Sequence, residues 1–128
     1  MTSPISLTGK RILVTGGARG LGHTFVKNMV GAGAKVALAD ILVKEGQVAA
    51  SDIGANFFEL DLSQPESIET CMGQVIDEFG GLDGLVNNGA IATAVGGLDM
   101  NEIEIDLWDQ VMAVNVRGTW LMSRAAVP

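Results

Sequence analysis

Apolar residues in this chain come in short runs that alternate with longer segments where they recur every third or fourth position. Positions 11–15 (Arg-Ile-Leu-Val-Thr) form a β-rich run that ends in glycines, which predicts a buried strand. Over 21–30 the apolar residues are Leu21, Phe25, Val26, Met29 and Val30, a helical spacing, with Gly31 and Gly33 to end it. A second strand is predicted over 35–39, closed by Asp40, and a weaker helix over 43–51. A third strand is predicted over 56–62. Ser63 and Glu66 then form a Ser-x-x-Glu capping-box pattern, with Pro65 in the first turn. The helix it opens runs to about Phe79, where Gly80-Gly81 stops it. A fourth strand is predicted over 82–87, followed by a loop containing Gly96-Gly97 and a last helix over 104–126.

The predicted order is β-α-β-α-β-α-β-α. Strands separated by helices imply parallel pairing with right-handed crossovers. The expectation is an α/β fold, a Rossmann-like doubly wound parallel sheet that stops after the fourth strand and the helix following it. Ligands of such sheets bind in the crevice at the carboxyl ends of the strands.

Composition narrows the picture. The 128 residues fit one domain, and 48% hydrophobic with 18% charged residues is a core-forming mixture. A net charge of −7 argues against nucleic acid as a partner. A dinucleotide is a different case, because backbone N–H groups and a helix end can hold its phosphates without net positive charge. The one cysteine, Cys71, reads as a small apolar residue on a helix, and its solitude suits a reducing compartment. Residues 1–10 lack the apolar stretch of a signal peptide, and no run approaches ~18 apolar residues. The expectation is a cytoplasmic protein with no membrane partner and no metal site.

The strongest local signal is Thr15-Gly16-Gly17-Ala18-Arg19-Gly20-Leu21-Gly22, set between a strand and a helix. Gly16 suits the tight turn out of the strand, Gly20 a close approach of backbone to a pyrophosphate, and Gly22 close packing of helix on sheet. The phosphates would sit at the helix N-terminus. A glycine-rich turn alone is weak evidence, and Asp40 strengthens it. Asp40 ends the second strand 18 residues after Gly22, where an acidic residue accepts hydrogen bonds from an adenosine ribose. A carboxylate there repels a 2′-phosphate, which favours NAD over NADP. Arg19 pulls the other way, since a basic residue in the turn can pair with that phosphate. The charge of Asp40 lies nearer the 2′ position, so NAD is the expected cofactor.

Taken together, Thr15 to Gly22, Asp61-Leu62, Gly80-Gly81-Leu82-Asp83, Asn87-Asn88-Gly89-Ala90 and Asn115-Val116-Arg117-Gly118 resemble, in order and interval, the successive motifs of the classical short-chain dehydrogenase/reductase family. The resemblance covers nearly the whole chain. It implies that Gly16, Arg19, Gly20, Leu21 and Gly22 are cofactor-binding. It implies that Asp61 bonds the adenine amino group, Leu62 lines the adenine pocket, Asn88 touches the adenosine ribose, and Gly89 is cofactor-binding. Asn115 resembles the family's asparagine that anchors a water in the proton relay. Read from its surroundings alone, an Asn in an apolar helical stretch needs partners for its amide, and a helix-bending or sheet-tying role is equally open. One motif departs from the pattern. Most members read Asn-Asn-Ala-Gly, and here Gly89 and Ala90 are exchanged, so a methyl group sits where backbone usually lies bare beside the cofactor. His23 reads as a helix-surface residue. Trp108 and Trp120, twelve apart on the last helix and on different faces of it, read as packing residues.

The resemblance implies an NAD-dependent oxidoreductase that interconverts a secondary alcohol and a ketone, and a homo-oligomer in the complete protein. Its members carry a catalytic serine and a Tyr-x-x-x-Lys pair beyond the region matched here and run to about 250 residues. These 128 residues contain no tyrosine. By themselves they are expected to be inactive, with the fourth strand as an open sheet edge and an apolar face bared on the last helix. The alternative is a catalytically silent remnant that binds NAD or dimerises. The loop over 92–99 is placed to meet a substrate but names none.

Overall fold

The computed structural model describes residues 4–92 and 95–128. Of the sequence-based expectations, the first three residues of the leader reading and Thr93-Ala94 of the 92–99 loop lie outside the described residues.

Four strands, β1 (Arg11–Thr15), β2 (Lys35–Asp40), β3 (Asn56–Glu59) and β4 (Gly84–Val86), form one parallel sheet in the order β3-β2-β1-β4. The order reverses between β1 and β4, so the crevice that doubly wound sheets use for ligands opens there. Helices α1 (Gly20–Gly31), α2 (Val43–Ile53) and α3 (Pro65–Phe79) connect the strands. A 3-10 turn (Met100–Glu102) then leads into α4 (Ile105–Met112), a π-helical turn (Ala113–Gly118) and α5 (Thr119–Ala126).

The alternation of side chains along each strand divides the core into two layers. Ile12, Val14, Val36 and Leu38 point to the face covered by α1 and α2, where Val26, Ala49 and Ala50 meet them. Leu13, Ala37, Ala39 and Phe58 point to the other face, covered by Ile68, Cys71, Met72, Val75 and Phe79 of α3 and by Leu121 and Met122 of α5. Strands buried on both faces explain why β1 and β2 read as unbroken apolar runs. The Cys71 thiol is fully buried, and that burial pushes its pKa up to about 11, so it behaves as the apolar residue expected.

Several boundaries differ from the sequence-based expectation. β3 ends at Glu59 rather than at position 62, because the chain turns at Asp61, whose carboxylate accepts the Ser63 N–H at 2.9 Å. The predicted capping box at Ser63 and Glu66 does not form. The Ser63 hydroxyl donates to Asp61 at 2.7 Å, and α3 starts after Gln64 with no side-chain cap. A capping box is present elsewhere, between Asp99 and Glu102 at the 3-10 turn. β4 is only three residues long, because Asn88 and Gly89 turn their N–H groups toward Thr15.

Trp108 and Trp120 are not core residues, at 59% and 57% exposure. Ile105, Trp108, Met112, Val116 and Trp120 are all exposed, at intervals of three, four, four and four. Met112, Val116 and Trp120 line one open hollow beside the π turn. The Arg124 guanidinium lies 4.6 Å from the Trp120 ring centroid. Among the described residues no helix is long and apolar enough to cross a membrane.

Candidate functional site

The turn between β1 and α1 is built for backbone, not side chains. Gly16 adopts φ +67, a left-handed conformation that favours glycine, and its N–H donates to the Ala39 carbonyl at 2.8 Å. A β-carbon at Gly22 would lie 2.0 Å from the Gly16 carbonyl oxygen, so only glycine lets α1 start this close to the turn. Gly20 also has a left-handed φ, +61, yet a β-carbon there would meet no protein atom within 4 Å. The backbone at Gly20 therefore faces open space. No side chain caps α1, and no acidic residue sits in its first turn. The free N–H groups and the dipole at this helix end form a site for an anion. Arg19 and Leu21 flank it, both exposed.

Asp40 closes the site on the β2 side. It is only 9% exposed, and its two carboxylate oxygens divide their work. Oδ2 accepts the Ala18 N–H and Oδ1 the Leu42 N–H, each at 3.0 Å. The carboxylate thus ties the glycine turn to the end of β2, and each oxygen keeps a lone pair for another donor. Asp61 lies beyond the end of β3, half-buried, with Oδ1 committed to Ser63 and its own N–H donated to Ser67 Oγ at 2.8 Å. Leu62 packs at the edge of the core.

On the β4 side the connection runs through Thr15, whose role the sequence did not announce. Thr15 is 1% exposed, and its Oγ1 accepts the N–H groups of Asn88 at 3.1 Å and Gly89 at 2.8 Å. The Asn88 amide in turn donates to the carbonyls of Thr15 at 3.1 Å and Gly16 at 3.2 Å. The segment after β4 is thereby laced to the glycine turn. The available signal was a hydroxyl at the last position of a buried apolar strand, where an unpartnered polar group is costly.

Asn115 lies in the π turn, and its amide makes one accepted and one donated bond to the same residue. Oδ1 accepts the Ile91 N–H at 2.7 Å, and Nδ2 donates to the Ile91 carbonyl at 2.9 Å. These two bonds tie this helix to the segment after β4. Arg117 adds a second tie, donating to the Ser63 carbonyl at 2.8 Å. Ser123 accepts a third, from the Asn87 amide at 3.1 Å.

The structure therefore gathers Gly16, Arg19, Gly20, Leu21, Gly22, Asp40, Asn88 and Gly89 around the carboxyl ends of β1, β2 and β4. Leu62 reaches this group through Gly89: a β-carbon at position 89 would lie 2.7 Å from Leu62 Cδ1. Asp61 stands at the next strand end, and Asn115 reaches the group through Ile91. The arrangement offers N–H donors for an anion, a held carboxylate for hydroxyl donors and bare backbone for close approach.

Comparison with known proteins bears on the family and the fold. The family model described as short chain dehydrogenase matches residues 10–128. The 2,5-dichloro-2,5-cyclohexadiene-1,4-diol dehydrogenase of Sphingobium indicum is 44% identical over 117 residues, which are 90% of this chain and 46% of that protein. The sorbitol dehydrogenase of Cereibacter sphaeroides is 38% identical, over 93% of this chain and 46% of its own length. The 3-alpha-(or 20-beta)-hydroxysteroid dehydrogenase of Mycobacterium bovis is also 38% identical, over 94% of this chain and 46% of its own length. The chain thus spans about half the length of these curated relatives. Among solved structures, the 3-ketoacyl-(acyl-carrier-protein) reductase from Brucella melitensis complexed with NADH superposes with a TM-score of 0.91 at 32% identity, over 96% of this chain and 51% of that one.

Proposed function

The chain belongs to the short chain dehydrogenase family, and on that premise we propose that it is the cofactor-holding part of an NAD-dependent oxidoreductase interconverting a secondary alcohol and a ketone. The observation that carries this reading is the open, uncapped start of α1 beside the nearly buried Asp40 carboxylate. NAD, when bound, supplies the carbon that accepts or gives up hydride. The protein's residues bind and orient it. The N–H groups from Gly20 to Gly22 hold the pyrophosphate, with Leu21 and Arg19 alongside. Asp40 accepts hydrogen bonds from the adenosine ribose and repels a 2′-phosphate. Asp61 and Leu62 meet the adenine, while Asn88 and Gly89 bound the ribose. Asn115, with its amide committed to Ile91, acts as a positioning residue that holds the segment after β4.

The substrate is a small alcohol or ketone. The relatives are named for a chlorinated cyclohexadiene diol, sorbitol and a hydroxysteroid, which share a hydroxyl group and differ in carbon frame. In this reading the protein works in the cytoplasm as a homo-oligomer, for which the exposed stripe on α4 and α5 is the supporting observation.

Fluorescence titration with NADH and NADPH tests the cofactor assignment. The parent chain is expected to prefer NADH. Asp40→Asn removes the charge and one of the two acceptors that hold the Ala18 and Leu42 N–H groups, and is expected to narrow that preference about tenfold, equivalent to ~1.4 kcal/mol. An unchanged ratio would falsify the NAD assignment, and a parent that binds neither dinucleotide would remove the functional reading itself.

A further inference from the structure

Asp61 is held from several directions in the turn between β3 and α3. Its N–H donates to Ser67 Oγ at 2.8 Å, and its carbonyl accepts the Gln64 N–H at 3.1 Å. Its carboxylate is held at one oxygen only. Oδ1 accepts the Ser63 N–H at 2.9 Å and the Ser63 hydroxyl at 2.7 Å. Any residue but proline at position 63 would supply the first bond. The second depends on the serine side chain. Together the two donors fill the lone pairs of Oδ1. Among the described residues no donor bonds Oδ2, and no unbonded side-chain oxygen is buried, so Oδ2 opens to solvent.

Ser63 is itself fixed in place by the last helix. The Arg117 guanidinium donates to the Ser63 carbonyl at 2.8 Å, across 54 positions of chain. Gly118 lies against the neighbouring peptide, where a β-carbon would come 2.8 Å from the Leu62 carbonyl oxygen. That contact is with backbone, which cannot swing aside as a side-chain tip can. With the turn pinned at its backbone, the freedom left to Asp61 is rotation of its carboxylate, and the two Ser63 donors restrain it. A carboxylate tied at one oxygen presents the other in a fixed direction, and this ordering is complete before any ligand arrives. An amino group reaching Oδ2 gains a charge-assisted hydrogen bond, whereas a carbonyl oxygen in the same place is repelled.

We propose that Ser63 is a positioning residue for base specificity: by filling Asp61 Oδ1 it aims Oδ2 at the exocyclic amino group of the bound dinucleotide. The proposal rests on the functional reading above for placing the adenine at Asp61, and on the hydrogen bonds of the turn for its geometry.

The test compares NADH with its hypoxanthine analogue, in which a carbonyl oxygen replaces the adenine amino group. Both are titrated by dihydronicotinamide fluorescence against the full chain, Ser63→Ala and Ser63→Thr, and each protein is also melted without nucleotide. The parent is expected to bind NADH about 30-fold more tightly than the analogue. Ser63→Ala keeps the N–H bond and loses the hydroxyl. It is expected to cut the ratio to about fivefold through weaker NADH binding, with affinity for the analogue within about twofold of the parent. Ser63→Thr keeps the hydroxyl and is expected to hold the ratio within about twofold of the parent. A merely structural serine would lower melting or weaken both dinucleotides alike, so an unchanged ratio in Ser63→Ala overturns the proposal. So does a Ser63→Thr chain that behaves like Ser63→Ala. A parent that binds both dinucleotides equally overturns it by taking the adenine amino group away from Asp61, while the dinucleotide site stands. A parent that binds neither removes the functional reading and this proposal together.

Discussion

Thr15 is where single-residue chemistry weighs most. Its hydroxyl oxygen receives two backbone N–H groups in a place with 1% exposure, so nothing from solvent can replace it. Thr15→Val keeps the volume and removes the acceptor. Leaving buried donors unpaired costs about 2 kcal/mol or more, so the variant is expected to melt lower by about 10 °C, while Thr15→Ser stays near the parent. Differential scanning calorimetry of the two variants checks this, and equal melting of all three chains would refute it. Glycine roles at Gly16 and Gly22 were readable from spacing, because a turn between strand and helix is a local demand. The role of Thr15 was not, because its partners lie 73 and 74 positions along the chain.

Among the elements, β1 and β4 are pinned at their starts by one ion pair. Asp83 accepts from the Arg11 backbone N–H at 2.8 Å and from its guanidinium at 3.0 and 3.2 Å. The Arg11 side-chain bonds lead in lowering the Asp83 pKa from its ordinary 3.8 to about 2. The folded chain therefore holds the ionised form better than the unfolded chain does. The stabilisation is fully present above pH about 4 and is lost as pH falls through about 2. Asp83→Asn is expected to melt below the parent at pH 6, with the gap closing between pH 4 and pH 2. A gap that stays constant on acidification would contradict this account. The last helix teaches the opposite lesson about legibility. Its apolar spacing predicted one helix over 104–126, and the chain is helical over nearly all of that span. The π turn within it was legible only as the helix-bending reading of Asn115, whose partner Ile91 lies 24 residues back in the chain.

For the whole molecule, the sheet order leaves β4 at one edge, and the α4–α5 stripe of Ile105, Trp108, Met112, Val116 and Trp120 stays exposed. A contiguous apolar stripe of this kind is the feature on which the proposed homo-oligomer is tested. If it pairs two copies of the protein, Trp120→Glu removes an aromatic anchor worth about 2 kcal/mol and weakens association about 30-fold. Sedimentation velocity of the protein and the variant reads this directly, and identical profiles would exclude the stripe as the contact. The tryptophans were expected to be packing residues, and an apolar face was expected to be bared on this helix. Their exposure follows from which face of the helix meets the sheet, and Leu121 and Met122 already fill that face.

The sequence by itself determined the succession of strands and helices, the parallel α/β class, the glycine turn and the acidic residue at the end of β2. Each of these is a local matter of side-chain period, turn conformation or helix-end chemistry, written within a few consecutive residues. Only the tertiary structure decided that β3 and β4 stop short, that Asp40 spends a hydrogen bond on Ala18, that Asn115 grips Ile91, and that Leu62 stands between Gly89 and Gly118. These depend on groups far apart in the chain competing for the same donors and the same few ångströms of space, and that competition exists only once the helices have closed on both faces of the sheet.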